Sequence, residues 1–103
     1  MTHEPPPPDR CQTMDEVRMG VDAADRALLD LLARRFGYMR AAARIKQERE
    51  SVRDEARKAQ IIAGVRAWAE EEGVPPESAA RLWDLLVEES IAYELDEWDR
   101  LRR

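Results

Sequence analysis

A long segment without proline, from about Asp15 to about Arg49, constrains the fold of this 103-residue chain more than any other feature. Proline breaks a helix interior, so its absence permits one uninterrupted helix across the segment. Gly20 and Gly37 each weaken such a helix by roughly 1 kcal/mol relative to alanine, which does not force a break. Apolar or small side chains recur at the helical spacing at Val17, Val21, Ala24, Leu28, Leu31, Leu32, Met39, Ala42 and Ile45.

The length of this first helix predicts a partner. A helix of about 35 residues is on the order of 50 Å long, whereas a compact domain of about 100 residues has a radius of gyration near 13 Å. The helix therefore extends beyond its own domain. Two shorter helices of the same chain do not cover the whole apolar stripe, so we expect an intertwined homodimer.

The rest of the chain also favours helices. Its residues are 44% hydrophobic and 38% charged, with only four glycines and few β-branched side chains, so the predicted fold class is all-α. The run Pro5–Pro8 favours extended polyproline structure, and we expect residues 1–13 to form a flexible arm before a helical domain over 14–103.

Two further helices follow the first. The sequence Ser51-Val52-Arg53-Asp54 has the form of a capping box and predicts the start of the second helix. Gly73, followed by Val74-Pro75-Pro76, predicts its end. The third helix is expected from about Glu77 to the C-terminus. The predicted buried face of the second helix consists of Ile61, Ile62, Val65, Trp68 and Ala69. The third carries Leu82, Trp83, Leu86, Val87, Ile91, Leu95, Trp98 and Leu101.

Composition also excludes several classes of function. The net charge of −5 argues against binding along a nucleic-acid backbone, and no apolar run is long enough to predict a membrane span. A single cysteine, Cys11, forms no internal disulfide, so we expect a cytoplasmic protein. The only histidine, His3, lies in the arm, which leaves no histidine-based metal site or nucleophile. Without a glycine-rich loop there is no nucleotide cradle, and we expect no cofactor.

Two cations interrupt the apolar stripe of the first helix. Arg35 follows Leu28 by seven residues and Lys46 follows Arg35 by eleven, so both project from the stripe. The alanines at 41–43 leave room between them, and about 16 Å separates the two Cα atoms. Long side chains leaning together at this distance suit a small dianion. The alternative is that both cations reach bulk water past buried stems.

The predicted third helix carries polar residues on its apolar face. Ser90 and Glu94 are spaced i, i+4 and point inward with Trp83, Leu86 and Val87. A buried glutamate must pair, protonate or face a water-accessible pocket. The structural alternative is an ion pair with Arg35 or Lys46.

Three more cations lie at positions where a ligand or solvent is equally plausible. Arg57 and Lys58 open the second helix, and each faces either a ligand or water. Arg18, near the start of the first helix, has Asp22 four residues later and is alternatively one half of a surface pair.

The combined register of Arg18, Asp25, Arg35, Lys46, Arg57, Ser90 and position 94 on three helices resembles the all-helical chorismate mutase family, from about residue 14 to 100. Tyr38, the alanine-rich run to Lys46, the helix ending at 68–73 and the absence of an insertion between Lys46 and Arg57 look most like its isochorismate pyruvate lyase branch.

The resemblance implies an interlocked dimer with two pockets and a role for each matching residue. Arg18 matches an arginine donated across subunits, and Arg35 and Arg57 match arginines that grip the two substrate carboxylates. Lys46 matches the lysine that donates to the ether oxygen of the breaking bond. The resemblance implies a pericyclic reaction, which needs no nucleophile or metal. It needs the substrate held in a reactive conformer and the negative charge on the ether oxygen stabilised.

Two positions depart from the family pattern. Glu94 stands where the family commonly has glutamine as a second donor, and a carboxylic acid donates only when it is protonated. Lys58 stands where typical mutases have a glutamate that holds the C4 hydroxyl of chorismate. The change to lysine mildly favours isochorismate as the substrate, because its hydroxyl lies elsewhere on the ring. The alternatives are a mutase for a modified chorismate and a catalytically impaired dimer that acts as a regulatory or binding module.

Overall fold

The computed structural model describes residues 4–103, and within them the protein is helical without strands. Its elements are α1 (Met14–Ile45), α2 (Glu55–Glu72) and α3 (Pro76–Leu101), with short 3-10 helices at Pro8–Arg10 and Arg49–Ser51. The all-α prediction with three helices, one of them very long, is confirmed. The chain divides into two compact units, one up to Gly37 and one over Tyr38–Arg103, and the boundary falls within α1.

A reciprocal cap fixes the start of α1. Thr13 Oγ1 accepts from the backbone N–H of Glu16 at 3.2 Å, and Glu16 Oε1 accepts from the backbone N–H of Thr13 at 3.1 Å. The helix then runs through both glycines, as predicted. It ends at Ile45, four residues before the predicted end at Arg49, because the chain turns there into the 3-10 helix at Arg49–Ser51.

The predicted capping box at Ser51 is wrong. Ser51 ends the 3-10 helix, and Asp54 caps α2 by accepting from the backbone N–H of Arg57 at 3.0 Å. The predicted end of α2 is confirmed, because Gly73 adopts the left-handed conformation at φ 74°, which glycine tolerates without steric cost. Pro76 occupies the first turn of α3, where its missing N–H removes no helical bond.

The second unit contains the hydrophobic core. One cluster consists of Val52, Val87 and Ile91, with Ile61, Leu95 and Trp98 packed against it. Another consists of Val65, Ala69 and Ala79, with Ile61 and Trp83 packed against it. Trp68, predicted on the buried face of α2, is 67% exposed in the single chain, so that part of the prediction is wrong. The small side chains of Ala69 and Ala79 bring α2 and α3 close together on the neighbouring face instead.

The first unit leaves its apolar stripe uncovered. Val21, Leu28 and Leu31 are 53%, 53% and 62% exposed in the single chain. Across the whole of α1, Ala43 is the one buried residue, and it belongs to the second unit. The described residues of the first unit therefore do not cover these three apolar side chains of α1.

The proline-rich arm precedes α1. Its 3-10 helix ends with the backbone N–H of Cys11 donating to Pro8 O at 3.3 Å, and a Cβ on Gly20 would lie 3.9 Å from Pro5 Cβ. Residues 1–3 of the predicted arm lie outside the described residues, and the flexibility of the arm stays a prediction. Between residues 4 and 103, none of the helices has the length and apolarity needed to cross a bilayer.

Candidate active site

A buried ion pair joins the end of α1 to the middle of α3. Lys46 is the first residue after α1, and its ammonium nitrogen lies 2.8 Å from Glu94 Oε2. The side chain of Glu94 is 5% exposed and that of Lys46 is 31% exposed. A carboxylate this deeply buried is costly without an opposite charge, so the pair accounts for Glu94 on the apolar face of α3. The structural alternative considered for Glu94, an ion pair with Lys46, is the contact observed.

The contact between Lys46 and Glu94 is close but poorly aligned as a hydrogen bond. Despite the 2.8 Å separation, Glu94 Oε2 accepts no hydrogen bond of good geometry from the described residues. We therefore treat the interaction as mainly electrostatic. The Lys46 ammonium also donates to Val52 O at a long 3.5 Å. An ammonium has three donors, so this partly exposed group retains capacity for a ligand oxygen.

Ser90 lies one helical turn before Glu94 and is also buried, with 3% exposure. Its hydroxyl donates to Leu86 O at 2.7 Å, a bond within α3. The predicted inward orientation of Ser90 and Glu94 is confirmed by their burial. The Ser90 hydroxyl proton is therefore directed at the helix backbone.

The two cations at the start of α2 face different surroundings. Arg57 is exposed and donates to Gln60 Oε1 at 2.7 Å. Lys58 is half-buried, and its ammonium lies 2.8 Å from Glu88 Oε2 and 3.0 Å from Asp84 Oδ1 on α3. Hydrogen bonds to Glu88 and then to Asp84 raise the pKa of Lys58.

Arg53 completes this ion network between the start of α2 and α3. Its guanidinium lies 2.7 Å from Glu88 Oε1. The hydrogen bonds from Arg53 and then from Lys58 lower the pKa of Glu88 to about 2. The charge of Lys58 is therefore compensated by acids of the same unit, and a substrate hydroxyl would compete with them for its donors.

Arg18 and Arg35 belong to the first unit. Arg18 lies 3.6 Å from Asp15, with its side chain 69% exposed, so its surface pair forms with Asp15 and not with the anticipated Asp22. Arg35 is half-buried on α1. The described ion pair is too exposed to hold Arg18 in one position.

Sequence reasoning missed two residues that contact Lys46. Trp98 Nε1 donates to Lys46 O at 3.0 Å, and Arg102 Nη2 donates to the same oxygen at 2.7 Å. The sequence contained an indication of these contacts. A spacing of four residues connects the positions Ser90, Glu94, Trp98 and Arg102. The spacing places Trp98 on the apolar face, but it does not show which acceptor the indole N–H binds.

An open cleft of about 150 Å³ lies elsewhere in the second unit, where α2 ends and α3 begins. Trp68, Trp83 and Val74 line it, and Glu72 supplies its only charge. Apolar walls with one carboxylate do not suit a dianion, so this cleft is not the candidate site.

Comparison with known proteins finds similarity over most of the chain. The family described as chorismate mutase type II matches residues 17–95, which include Arg18, Lys46 and Glu94. The isochorismate pyruvate lyase of Pseudomonas aeruginosa is 26% identical over 95 residues, covering 92% of this chain and 94% of that protein.

Proposed function

The chain belongs to the chorismate mutase type II family, and we propose that it acts as a pericyclic enzyme on a chorismate-type dianion. The two candidate reactions are elimination of pyruvate from isochorismate to give salicylate, and rearrangement of chorismate to prephenate. Similarity to the lyase from Pseudomonas aeruginosa supports the first. Both reactions start from related folded ligands, and we infer that one pocket serves for either.

The buried pair of Lys46 and Glu94 is the observation that carries this proposal. In both reactions the carbon–oxygen bond of the enolpyruvyl ether breaks, and negative charge develops on the ether oxygen. A fixed cation in a site that excludes most water stabilises that charge as it forms. Lys46 supplies such a cation, because its ammonium lies 2.8 Å from the buried Glu94 carboxylate and keeps donors for a ligand.

Glu94 limits how far Lys46 can stabilise this charge. An ionised carboxylate 2.8 Å from the Lys46 ammonium offsets the positive charge and repels charge developing on a nearby oxygen. A glutamine amide at this position would be neutral and would donate a hydrogen bond. We therefore propose that Glu94 is the second group at the ether oxygen, and that Glu94→Gln raises the rate.

We propose a homodimer in which Arg18 of one chain completes the pocket of the other. The apolar stripe of the first unit, with Leu28 and Leu31 more than half exposed, supports this proposal because large exposed apolar faces mark protein interfaces. Arg18 is suitable as the donated residue because the ion pair described for it, with Asp15, is exposed. Arg35 and Arg57 are proposed to bind the two carboxylates, with Ser90 as a further contact. Lys58 is proposed to bind the ring hydroxyl of the substrate, which would replace its contact with Asp84 or Glu88.

The test is to incubate the purified protein with isochorismate or chorismate. Salicylate fluorescence reports the elimination, and loss of chorismate absorbance reports the rearrangement. We expect turnover of at least one substrate. Glu94→Gln, which supplies a permanent donor without a charge, should raise the rate.

Two results would contradict the proposal. Absence of turnover with both substrates would favour a binding module or a mutase for a modified chorismate. A Glu94→Gln rate at or below that of the wild type would show that the Glu94 carboxylate does not limit the reaction.

A further inference from the structure

We propose that Trp98 and Arg102 are positioning residues that fix Lys46 for the reaction by binding its backbone carbonyl. The inference rests on the proposed function, because it assigns the ammonium of Lys46 the role of stabilising the ether oxygen. Both residues belong to the last turn of α3 or follow it directly, and both lie in the same unit as Lys46.

The carbonyl oxygen of Lys46 receives two donors, one from α3 and one from the residue that follows α3. Trp98 Nε1 lies 3.0 Å from it and Arg102 Nη2 lies 2.7 Å from it. A carbonyl has two lone pairs, so this acceptor is fully used. The backbone N–H of Lys46 meanwhile donates to Ala42 O at 2.8 Å. Both polar groups of the Lys46 backbone are therefore bonded, at the point where α1 has just ended.

Arg102 also binds the last turn of α1. Its Nη1 donates to Ala43 O at 3.1 Å and to Trp98 O at 3.3 Å. Carbonyls at a helix C-terminus lack partners within the helix, and the helix dipole favours a positive charge there. One planar guanidinium thus joins the carbonyl ends of α1 and α3, which a single ammonium does not reproduce.

Stacking holds the guanidinium in this orientation. The Cζ atom of Arg102 lies 4.2 Å from the centroid of the Trp98 ring, a cation–π contact. Trp98 therefore acts in two ways, because its indole N–H binds the Lys46 carbonyl while its ring supports the second donor to that carbonyl.

The same helix supplies both the backbone contacts and the counter-ion of Lys46. Glu94, one turn before Trp98, contacts the ammonium, and Trp98 and Arg102 bind the carbonyl. The Lys46 side chain starts at this backbone. Loss of the backbone contacts would therefore let the Cα atom shift and would displace the ammonium with it. A displacement of about 1 Å in a reacting group is enough to cost on the order of 10²-fold in rate.

The contacts made by Arg102 are directed at the site more than at the core. Arg102 is exposed and belongs to neither hydrophobic cluster of the second unit. Its removal should therefore leave the fold in place while loosening Lys46. Since Arg102 does not bind the substrate carboxylates in this proposal, the change should appear in kcat and not in KM.

The experiment compares steady-state kinetics of four variants with the wild type, using whichever substrate the wild type converts. Arg102→Ala should lower kcat by roughly 10- to 100-fold with KM changed less than about threefold. Arg102→Lys keeps the charge but loses the planar guanidinium donors, and its kcat should lie between those of Arg102→Ala and the wild type. Trp98→Phe keeps a ring for stacking but loses the N–H, and should lower kcat by about fivefold or more.

Arg100→Ala is the matched control. Arg100 lies in the last turn of α3 and its guanidinium binds Glu97 at 2.9 and 3.0 Å, on the same helix. Its kcat should stay within about twofold of the wild type, and circular dichroism should show comparable helix content in all variants.

The outcomes separate this inference from the proposed function. If the wild type converts neither substrate, the proposed function fails and the positioning role fails with it. If the wild type is active while Arg102→Ala and Trp98→Phe keep their kcat within twofold, the positioning role alone is wrong. A raised KM at constant kcat in Arg102→Ala would also overturn it, because Arg102 would then act on substrate binding.

Discussion

The two units differ in the burial of their apolar side chains and in the reach of their ion pairs. Up to Gly37, the apolar residues Leu28 and Leu31 are exposed and the ion pairs join residues three or four apart on one helix, such as Arg18 with Asp15. In the second unit, Val87 and Ile91 are buried and several ion pairs join α2 to α3. Apolar periodicity is present in both.

This difference supports the proposal that the first unit packs against a partner chain. The second unit completes its core within one chain, whereas the first presents a helix face that one chain does not cover. An isolated helix is marginal in water, and most helical stability in proteins comes from packing of the apolar face. We therefore expect substitutions in the second unit to act on the site, and substitutions on the α1 stripe to act on assembly.

The largest expected effect follows removal of Lys46 from the second unit. Lys46→Ala should lower the rate by roughly 10³-fold, the upper range for loss of one donor to a developing oxyanion. It should also lower the free energy of unfolding by about 2 kcal/mol, because Glu94 stays buried beside no cation. Kinetics and urea unfolding measure the two effects separately.

The double variant Lys46→Ala/Glu94→Gln sharpens this comparison. A neutral amide needs no counter-ion, so the double variant should recover most of the lost stability without recovering the activity. In the first unit, Arg18→Ala should change the free energy of unfolding by less than about 0.5 kcal/mol, since its pair with Asp15 is exposed. A Lys46→Ala variant that keeps more than a tenth of the wild-type rate would contradict the assignment.

The next effect concerns assembly through the first unit. Leu28→Glu places a charge on the exposed apolar stripe, and burying that charge in an interface is costly. We expect the dimer dissociation constant to rise by about 100-fold or more, with a lower helix content at low protein concentration. Sedimentation equilibrium and circular dichroism across a dilution series measure both changes.

Arg26→Glu is the control for this substitution. It adds an acid to the same helix two residues from Leu28, on the opposite face, where Arg26 pairs with Asp30 at 3.6 Å in an exposed position. The dissociation constant should stay within a few fold. A wild-type chain that is monomeric at micromolar concentration would show that the α1 stripe is not a dimer interface.

Sequence reasoning succeeded where one helix decides the outcome. Periodicity gave α1 through Gly20 and Gly37, and the burial of Ser90 and Glu94 followed from their spacing with Val87. It failed where contacts between helices decide. The cap moved from Ser51 to Asp54, since both are good cap residues and only the packed chain selects between them.

The partners of the site residues were predictable only in part. The pair of Glu94 with a cation was expected because a buried carboxylate requires one, but the choice of Lys46 depended on how α1 ends against α3. The pairing of Lys58 with Asp84 and Glu88 joins residues about thirty positions apart. Spacing along one helix carries no information about such contacts.

The smallest effect tests the ion network that joins α2 to α3 within the second unit. Arg53 and Lys58 lower the pKa of Glu88 to about 2, below its ordinary value of 4.5. A carboxyl group whose pKa is lower in the folded state contributes stability above its unfolded pKa, and that contribution is lost as the pH falls through the folded value. The contribution of Glu88 should therefore be complete above about pH 5 and should decline toward pH 2.

Glu88→Gln should accordingly lower the urea midpoint at pH 7, and its difference from the wild type should shrink as the pH falls from 5 to 2. The effect is small because the side chain of Glu88 is 38% exposed and solvent screens its pairs. Asp15→Asn, which removes an exposed pair within α1, should shift the midpoint at pH 7 less than Glu88→Gln does. A difference in urea midpoint between wild type and Glu88→Gln that grows at low pH would mean that the charged network opposes folding. The contrast between local pairs in the first unit and stabilising pairs in the second would then not hold.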